Sequence, residues 1–275
     1  MKKIMKIAAM LTLIALCAVM VISCGKTETP KDTAAPAPDT TAAPGTAAPA
    51  PDTAGADDNV IVMCTNASFP PYEFVENGEI TGIDAEIAAK IAEKLGMTLK
   101  IEDMEFSALI PAVQSGLADF AMAGMTVNEE RLQSVNFSTS YATGVQVVII
   151  PEGSDIASLD DLNGKKIGVQ LATTGDIYAT DDYGEENVEE YATGNDAVLA
   201  LTQGKVDAVI IDNEPAKAYV AANEGLTILS TEYAVEDYAI AIAKENTELL
   251  DKVNAALAEL IDDGVDTEIV NKYIG

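Results

Sequence analysis

A two-lobed α/β fold, hinged between the lobes, follows from three features of this 275-residue chain. From Asn59 onward apolar strands alternate with amphipathic helices, the pattern of largely parallel sheets flanked by helices. A helix, glycine, strand and aspartate unit occurs twice, as Gln114-Ser115-Gly116-Leu117-Ala118-Asp119 and as Thr202-Gln203-Gly204-Lys205-Val206-Asp207, which predicts two lobes of one kind. Two apolar crossings, Gly144 to Pro151 and Tyr238 to Ala243, lead from the first lobe to the second and back. Two extended strands between two lobes form a hinge over a cleft that can close.

In chain order, the first element is an export signal. Lys2, Lys3 and Lys6 precede an apolar run from Ile7 to Ile22, and Ser23 and Cys24 follow, which predicts a signal peptide over residues 1–23. That run is shorter than the ~20 apolar residues a permanent membrane helix needs. Val21-Ile22-Ser23-Cys24 resembles a bacterial lipoprotein box, and the resemblance implies that Cys24 becomes a lipid-bearing N-terminus. Residues 24–58 are rich in Ala, Pro, Thr and Asp, and Ala34-Ala35-Pro36-Ala37-Pro38-Asp39-Thr40 recurs over Ala47 to Thr53. Such a stretch cannot bury a core. Its prolines favour an extended chain of roughly 3 Å per residue, a semi-stiff tether of up to about 100 Å.

The folded body opens with an apolar strand from Asn59 to Cys64. A helix is predicted over Asp84 to Leu95, because Ile83, Ile87, Ile91 and Leu95 recur every four residues and Gly96 follows where a left-handed cap is wanted. A helix from Ser107 towards Ser115 and a strand from Ala118 to Ala123 complete the first repeat unit. The second comprises a helix from Asp196 to Gln203 and a strand from Val206 to Ile211. Five residues after the two aspartates come Gly124 and Asp212, so both lobes deliver a carboxyl strand end to one place, where open α/β sheets hold ligands. With a final helix near Thr247, lobe 1 comprises residues 59–143 and 238–275, and lobe 2 residues 144–237.

Composition removes whole classes of chemistry. With 45 acidic residues against 16 basic ones, nucleic acid and anionic lipid surfaces are repelled, and loss of the signal removes three lysines and no acid. No histidine is present, so Ser-His and Cys-His pairs and the commonest transition-metal ligand are absent. No phosphate-binding glycine loop occurs, and Asp160-Asp161 and Asp181-Asp182 read as solvated loop charges. No cofactor, metal or catalytic group is expected. Cys64, inside a strand and without a partner in the mature chain, reads as a small core residue.

The single arginine, Arg131, stands out against this acidic background. Its planar fork holds a carboxylate through two parallel bonds, which lysine cannot do. It serves either an anionic ligand or a local ion pair with Glu129 or Glu130.

Several separated motifs resolve the choice by resemblance. They are Asn66-Ala67-Ser68-Phe69-Pro70-Pro71-Tyr72-Glu73-Phe74, Gly82-Ile83-Asp84, Leu109 to Gly116, Ala123-Gly124-Met125-Thr126 through Arg131, Asn136-Phe137-Ser138, Gly168-Val169-Gln170 with Thr173-Thr174-Gly175, and Val206-Asp207-Ala208-Val209. Over residues 59–275 the chain resembles the extracytoplasmic solute-binding proteins of polar amino acid ABC transporters, the histidine/glutamine/arginine-binding group. The resemblance implies a periplasmic-binding-protein type II-like fold that binds a zwitterionic amino acid between its lobes. Arg131 would clasp the α-carboxylate, helped by Thr126 and by backbone N–H groups at Thr173 and Thr174, which open a helix whose positive end favours an anion. Asp212 would receive the α-ammonium with the Gly124 carbonyl and the Thr126 hydroxyl. Phe69 and Phe106 would sandwich the ligand side chain. From the residues alone, Thr173 and Asp212 equally suit helix caps, and the two phenylalanines suit the core.

Binders of cationic amino acids tend to carry an aspartate where this chain has Asn66, so an uncharged ligand is expected; Tyr141, Gln170 and Tyr238 serve either as further hydrogen-bonding groups near its side chain or equally as packing. By the same resemblance the protein is a monomeric, lipid-anchored receptor on the extracytoplasmic face of a bacterial membrane, serving an ABC permease. Two alternatives share this fold: an enzyme like cyclohexadienyl dehydratase, using Glu105 or Glu73 as its acid, and a sensor lipoprotein for a signalling partner.

Overall fold

The computed structural model describes residues 59–274; the expected signal peptide, the tether and Cys24 lie outside them. Among the described residues no helix is long and apolar enough to cross a membrane. The chain starts with β1 (Val60–Thr65), then β2 (Ser68–Phe69), β3 (Glu73–Glu76) and β4 (Glu79–Thr81), the last three forming a small antiparallel sheet. Gly82 turns the chain into α1 (Ile83–Leu95) at φ 124°, and a Cβ there would lie 2.3 Å from the Tyr72 carbonyl oxygen. The predicted stripe is real: Ile83, Ile87 and Ile91 are fully buried, and Gly96 closes the helix in the left-handed region at φ 70°.

After β5 (Thr98–Asp103) a 3-10 turn over Phe106–Ala108 leads into α2 (Leu109–Gln114), so the expected helix from Ser107 is split. β6 is only Phe120–Ala121, shorter than expected. At its amino end the Asp119 carboxylate takes the Val62 N–H at 2.7 Å in place of a ladder carbonyl. α3 (Arg131–Ser134) and β7 (Val135–Phe137) follow, and then β8 (Ala142–Pro151) crosses to the second lobe.

The second lobe contains β9 (Ile167–Gln170), α4 (Thr174–Tyr183), β10 (Val188–Tyr191), α5 (Gly194–Thr202), β11 (Ala208–Asp212), α6 (Asn213–Ala222), β12 (Leu226–Ile228) and β13 (Ala234–Tyr238). The chain returns through β14 (Ala241–Ala243) to α7 (Thr247–Asp262) and α8 (Val265–Ile274). Asp181 and Asp182 fall inside α4, not in a loop. The first sheet has the order β5-β1-β6-β14-β7; the second runs β10-β9-β11-β8-β12, with β13 also on β8. In each, the strand antiparallel to its neighbours is one that arrives from a crossing, β14 in the first and β8 in the second. The fold is thus an α/β pair of mixed sheets flanked by helices.

The internal repeat is structural. Gly116 and Gly204 both adopt left-handed φ, 73° and 67°. Leu117 N–H then donates to Ala112 O at 2.9 Å and Lys205 N–H to Ala200 O at 3.0 Å, the wrapped end of a helix capped by glycine. Each aspartate then clamps the neighbouring strand: Asp119 accepts from Val62 N–H and Asp207 from Lys166 N–H, at 2.7 and 2.8 Å. Equal spacing in the sequence produces equal geometry in the two lobes.

The crossings lie side by side. β13 pairs antiparallel with β8 from Tyr238 opposite Ala142 to Ala234 opposite Gln146, and β11 takes over at Asp212 opposite the same Gln146. The loop after β6 is stitched to this ribbon by Ala239 N–H to Met125 O and Val127 N–H to Asp237 O, both 3.0 Å. Thr126 therefore sits against the hinge. Cys64 is core: its thiol lies near the Leu109 and Phe120 carbonyls, and burial pushes it up to about 12.

Candidate functional site

The carboxyl ends of β1, β6, β9 and β11 open on one cavity between the lobes, with about 430 Å3 of space outside atoms, part of it open to solvent at the mouth. From the first lobe Asn66, Phe69, Phe106, Gly124, Thr126 and Arg131 line it, and from the second Thr173, Thr174 and Asp212, so all nine residues singled out from the sequence meet there. Glu73 and Gln170 join them.

Arg131 opens the short helix α3, where its N–H is capped by Asn128 Oδ1 at 2.8 Å. The side chain is 7% exposed. One guanidinium nitrogen donates to Thr126 O at 2.8 Å and the other to Ala172 O, on the opposite lobe, at 3.0 Å. The Phe106 ring lies 5.3 Å from its centre. Among the described residues it forms no ion pair, so the local partners Glu129 and Glu130 are not used. Burial pulls its pKa down, opposed by the more distant charges of Glu236 and Asp212. A buried cation held only by neutral carbonyls and facing a cavity is complementary to an anion.

Asp212 ends β11 and precedes α6, yet makes no capping bond to that helix. Its carboxylate instead accepts from Gln146 Nε2 at 2.8 Å and from the Tyr238 hydroxyl. Burial raises its pKa to about 6, with the Tyr238 bond lowering it and Glu236 raising it further. Thr173, by contrast, does cap its helix, accepting from Asp176 N–H at 3.3 Å, while still lining the cavity. At the start of α4 the backbone N–H groups have no helical partner of their own.

Behind the cavity wall lies Glu236. One of its oxygens accepts from Thr174 Oγ1, Gln146 Nε2 and Thr126 Oγ1 at 2.9, 3.0 and 3.1 Å. Neither Glu236 nor Gln146 is reached by reasoning from the sequence motifs. The signal available was alternation: in β13 Glu236 and Tyr238 face inward while Val235 and Asp237 face out.

Two hydrogen-bonding candidates are corrected. Tyr141 donates to Asp84 Oδ2 at 2.8 Å and Tyr238 to Asp212, so both hydroxyls are used behind the wall, outside the cavity lining. Asp84 in turn holds Gly124 N–H at 2.9 Å and is raised to about 6 by burial. Glu73 is pushed well above the carboxylate range by burial and by Asp84, and its Oε2 has no partner. Asn66 lines the cavity and ties the lobes together: Nδ2 gives one of its two hydrogens to Met104 O, and Oδ1 accepts from Ser68 Oγ and from Gln170 Nε2 of the other lobe, all at 2.9 Å. Glu105 lines a second cavity at the mouth, with Phe106, Leu171 and Tyr191.

Comparison with known proteins adds relatives to this geometry. The model of the bacterial extracellular solute-binding proteins, family 3, matches residues 61–275. The arginine-binding extracellular protein ArtP of Bacillus subtilis is 33% identical over 222 residues, 78% of this chain and 85% of that protein. Among solved structures, an ancestral arginine-binding protein bound to glutamine superposes with a TM-score of 0.76 at 40% identity, covering 79% of this chain and 98% of that one. The arginine-, lysine-, histidine-binding protein ArtJ of Geobacillus stearothermophilus gives 0.75 at 34% identity, covering 78% and 95%.

Proposed function

This chain belongs to family 3 of the bacterial extracellular solute-binding proteins, and from that membership and the cleft geometry we propose a receptor that closes on one free amino acid and presents it to an ABC transporter permease. The observation that carries this reading is Arg131, a buried guanidinium without an acid partner, sharing a cavity with the carboxylate of Asp212. A zwitterion supplies both missing counter-charges. Its α-carboxylate would meet Arg131 and the N–H of Thr174, since that of Thr173 already donates to Gln170 O at 3.3 Å, and its α-ammonium would meet Asp212, the Gly124 carbonyl and the Thr126 hydroxyl. Lipid attachment at Cys24 would hold the monomer outside the membrane within reach of the permease. The relatives named above are binding proteins, which supports a receptor in preference to a dehydratase.

The side chain of the ligand turns on Glu73. Burial and Asp84 favour the neutral acid of Glu73, and Arg131, Asp212 and a zwitterion then balance, which supports an uncharged polar side chain. Asn66, neutral and in the lining, adds no counter-charge for a cationic side chain, while its amide also ties the lobes together. A second reading, a cationic side chain, is favoured by the presence of Glu73 in the lining, beside Phe69 and Phe106. The structural relative described as an arginine-binding protein bound to glutamine indicates that one scaffold accepts both classes.

The test is a thermal-shift screen of the purified protein, freed of co-purified ligand, against the twenty amino acids. At a hundredfold excess over Kd a true ligand adds ~2.7 kcal/mol, visible as a rise of several degrees in Tm. Calorimetry in two buffers, well above pH 6 where Asp212 is already ionised, then separates the side-chain classes: a cationic ligand that ionises Glu73 releases a proton, and a neutral one does not. No shift with any amino acid would overturn the reading.

A further inference from the structure

Glu236 is 6% exposed and stands outside the cavity lining, yet it contacts two residues of that lining from behind. It reaches Thr126 from the first lobe, Thr174 from the second and Gln146 from the crossing strand through a single oxygen, Oε2. A threonine hydroxyl has one hydrogen to give and two lone pairs to receive with. At 2.9 and 3.1 Å the two hydroxyls direct those hydrogens to Glu236, while they lie only 3.4 Å from each other. Towards the cavity Thr126 and Thr174 are therefore left with lone pairs alone.

The same accounting extends to Asp212. The Gln146 amide has two hydrogens, directed to Asp212 Oδ2 at 2.8 Å and to Glu236 Oε2 at 3.0 Å. Tyr238 gives its hydrogen to the other Asp212 oxygen. This stretch of wall is thus an array of acceptors, oriented by a carboxylate that does not touch the ligand. An ammonium brings three hydrogens to such an array. A hydroxyl brings one, and a keto oxygen brings none and sets its lone pairs against those of the threonines.

We propose that Glu236 is a specificity-determining positioning residue: by holding the Thr126 and Thr174 hydroxyls as acceptors, it selects ligands with an α-ammonium over their α-hydroxy and α-keto counterparts. The proposal rests on the amino acid reading above and goes beyond it, since that reading requires only Arg131 and Asp212. A purely structural role, a latch between lobes, would weaken all ligands alike and leave their ratio unchanged.

Glu236→Gln keeps the shape but removes the charge: its amide oxygen is a weaker acceptor than the carboxylate and its NH2 brings hydrogens of its own, so the threonine hydroxyls are held less firmly as acceptors towards the cavity. The experiment is calorimetric titration of wild type and Glu236→Gln with L-glutamine and L-arginine, each beside its 2-hydroxy acid analogue. Wild type is expected to prefer the amino acid by about a thousandfold or more, as sites built around a particular hydrogen-bonding group do. In Glu236→Gln that preference should fall at least about tenfold, through weaker binding of the amino acid. Glu236→Asp, which retains a carboxylate, should recover part of it. Should Glu236→Gln not fold, Thr174→Val removes one of the oriented acceptors and should lower the ratio in the same direction. An unchanged ratio in the folded variant, whatever the loss of affinity, overturns the proposal. Wild type that binds neither amino acid overturns the reading beneath it, and the proposal with it.

Discussion

Arg131 illustrates how one residue acquires meaning from its surroundings. On the sequence it is a lone cation among acids; in the fold it is fixed by two carbonyls, one from each lobe, so it contributes to closure before any ligand arrives. Arg131→Lys, which retains the charge but loses the fork, should weaken ligand binding at least about tenfold, and Arg131→Ala by several kcal/mol, both read by calorimetry. Asp212 makes a pH prediction. Its acid is raised to about 6, and an ammonium pairs only with the ionised form, so affinity should be level above pH 6 and fall about tenfold per unit below it. Affinity that is flat down to pH 4 would remove Asp212 from the ammonium site. Stability of the unliganded protein runs the other way. Asp84 and Asp212 rise to about 6 from 3.8, so the folded form retains protons that the unfolded chain has released, and stability present below about pH 4 should decline as pH rises towards 6.

Among the elements, the two repeat units make a paired prediction. Asp119 and Asp207 clamp equivalent strand N–H groups, but Asp119 is half-buried and Asp207 is exposed. Asp119→Ala should therefore cost more than Asp207→Ala, about 1–3 kcal/mol in denaturant unfolding against less than about 1. The crossing strands depend on a close approach: a Cβ on Gly144 would lie 2.3 Å from the Tyr238 ring. Gly144→Ala should push that ring off Asp212, lowering both Tm and affinity. The repeat was legible because helix, left-handed glycine and aspartate are local signals. The start of β6 was not, since a side-chain clamp at Asp119 takes the place of a ladder bond there, which no periodicity reveals.

For the whole molecule, bonds across the lobes hold the cleft closed both at the cavity wall and away from it. Tyr219 on α6 donates to Ser68 O across the lobes at 2.5 Å, and Gln170 donates to Asn66. Tyr219→Phe should shift the balance towards the open form, reducing affinity about threefold to tenfold mainly through a faster koff in stopped-flow measurements. An unchanged koff would mean that this bond adds nothing to closure.

The sequence by itself determined the α/β alternation, the two related lobes and the crossings, because helix stripes and glycine caps are carried by neighbours along the chain; the nine residues that line one cavity were picked out by the resemblance of its motifs to a known family. Only the tertiary structure decided what those residues do for one another. Asn66 gained a second task as a tie between the lobes, Tyr141 and Tyr238 proved to support Asp84 and Asp212, and Glu236 emerged from 110 residues away to orient Thr126. Hydrogen-bond partners so distant in sequence leave no periodic trace; they exist only once the fold has brought them together.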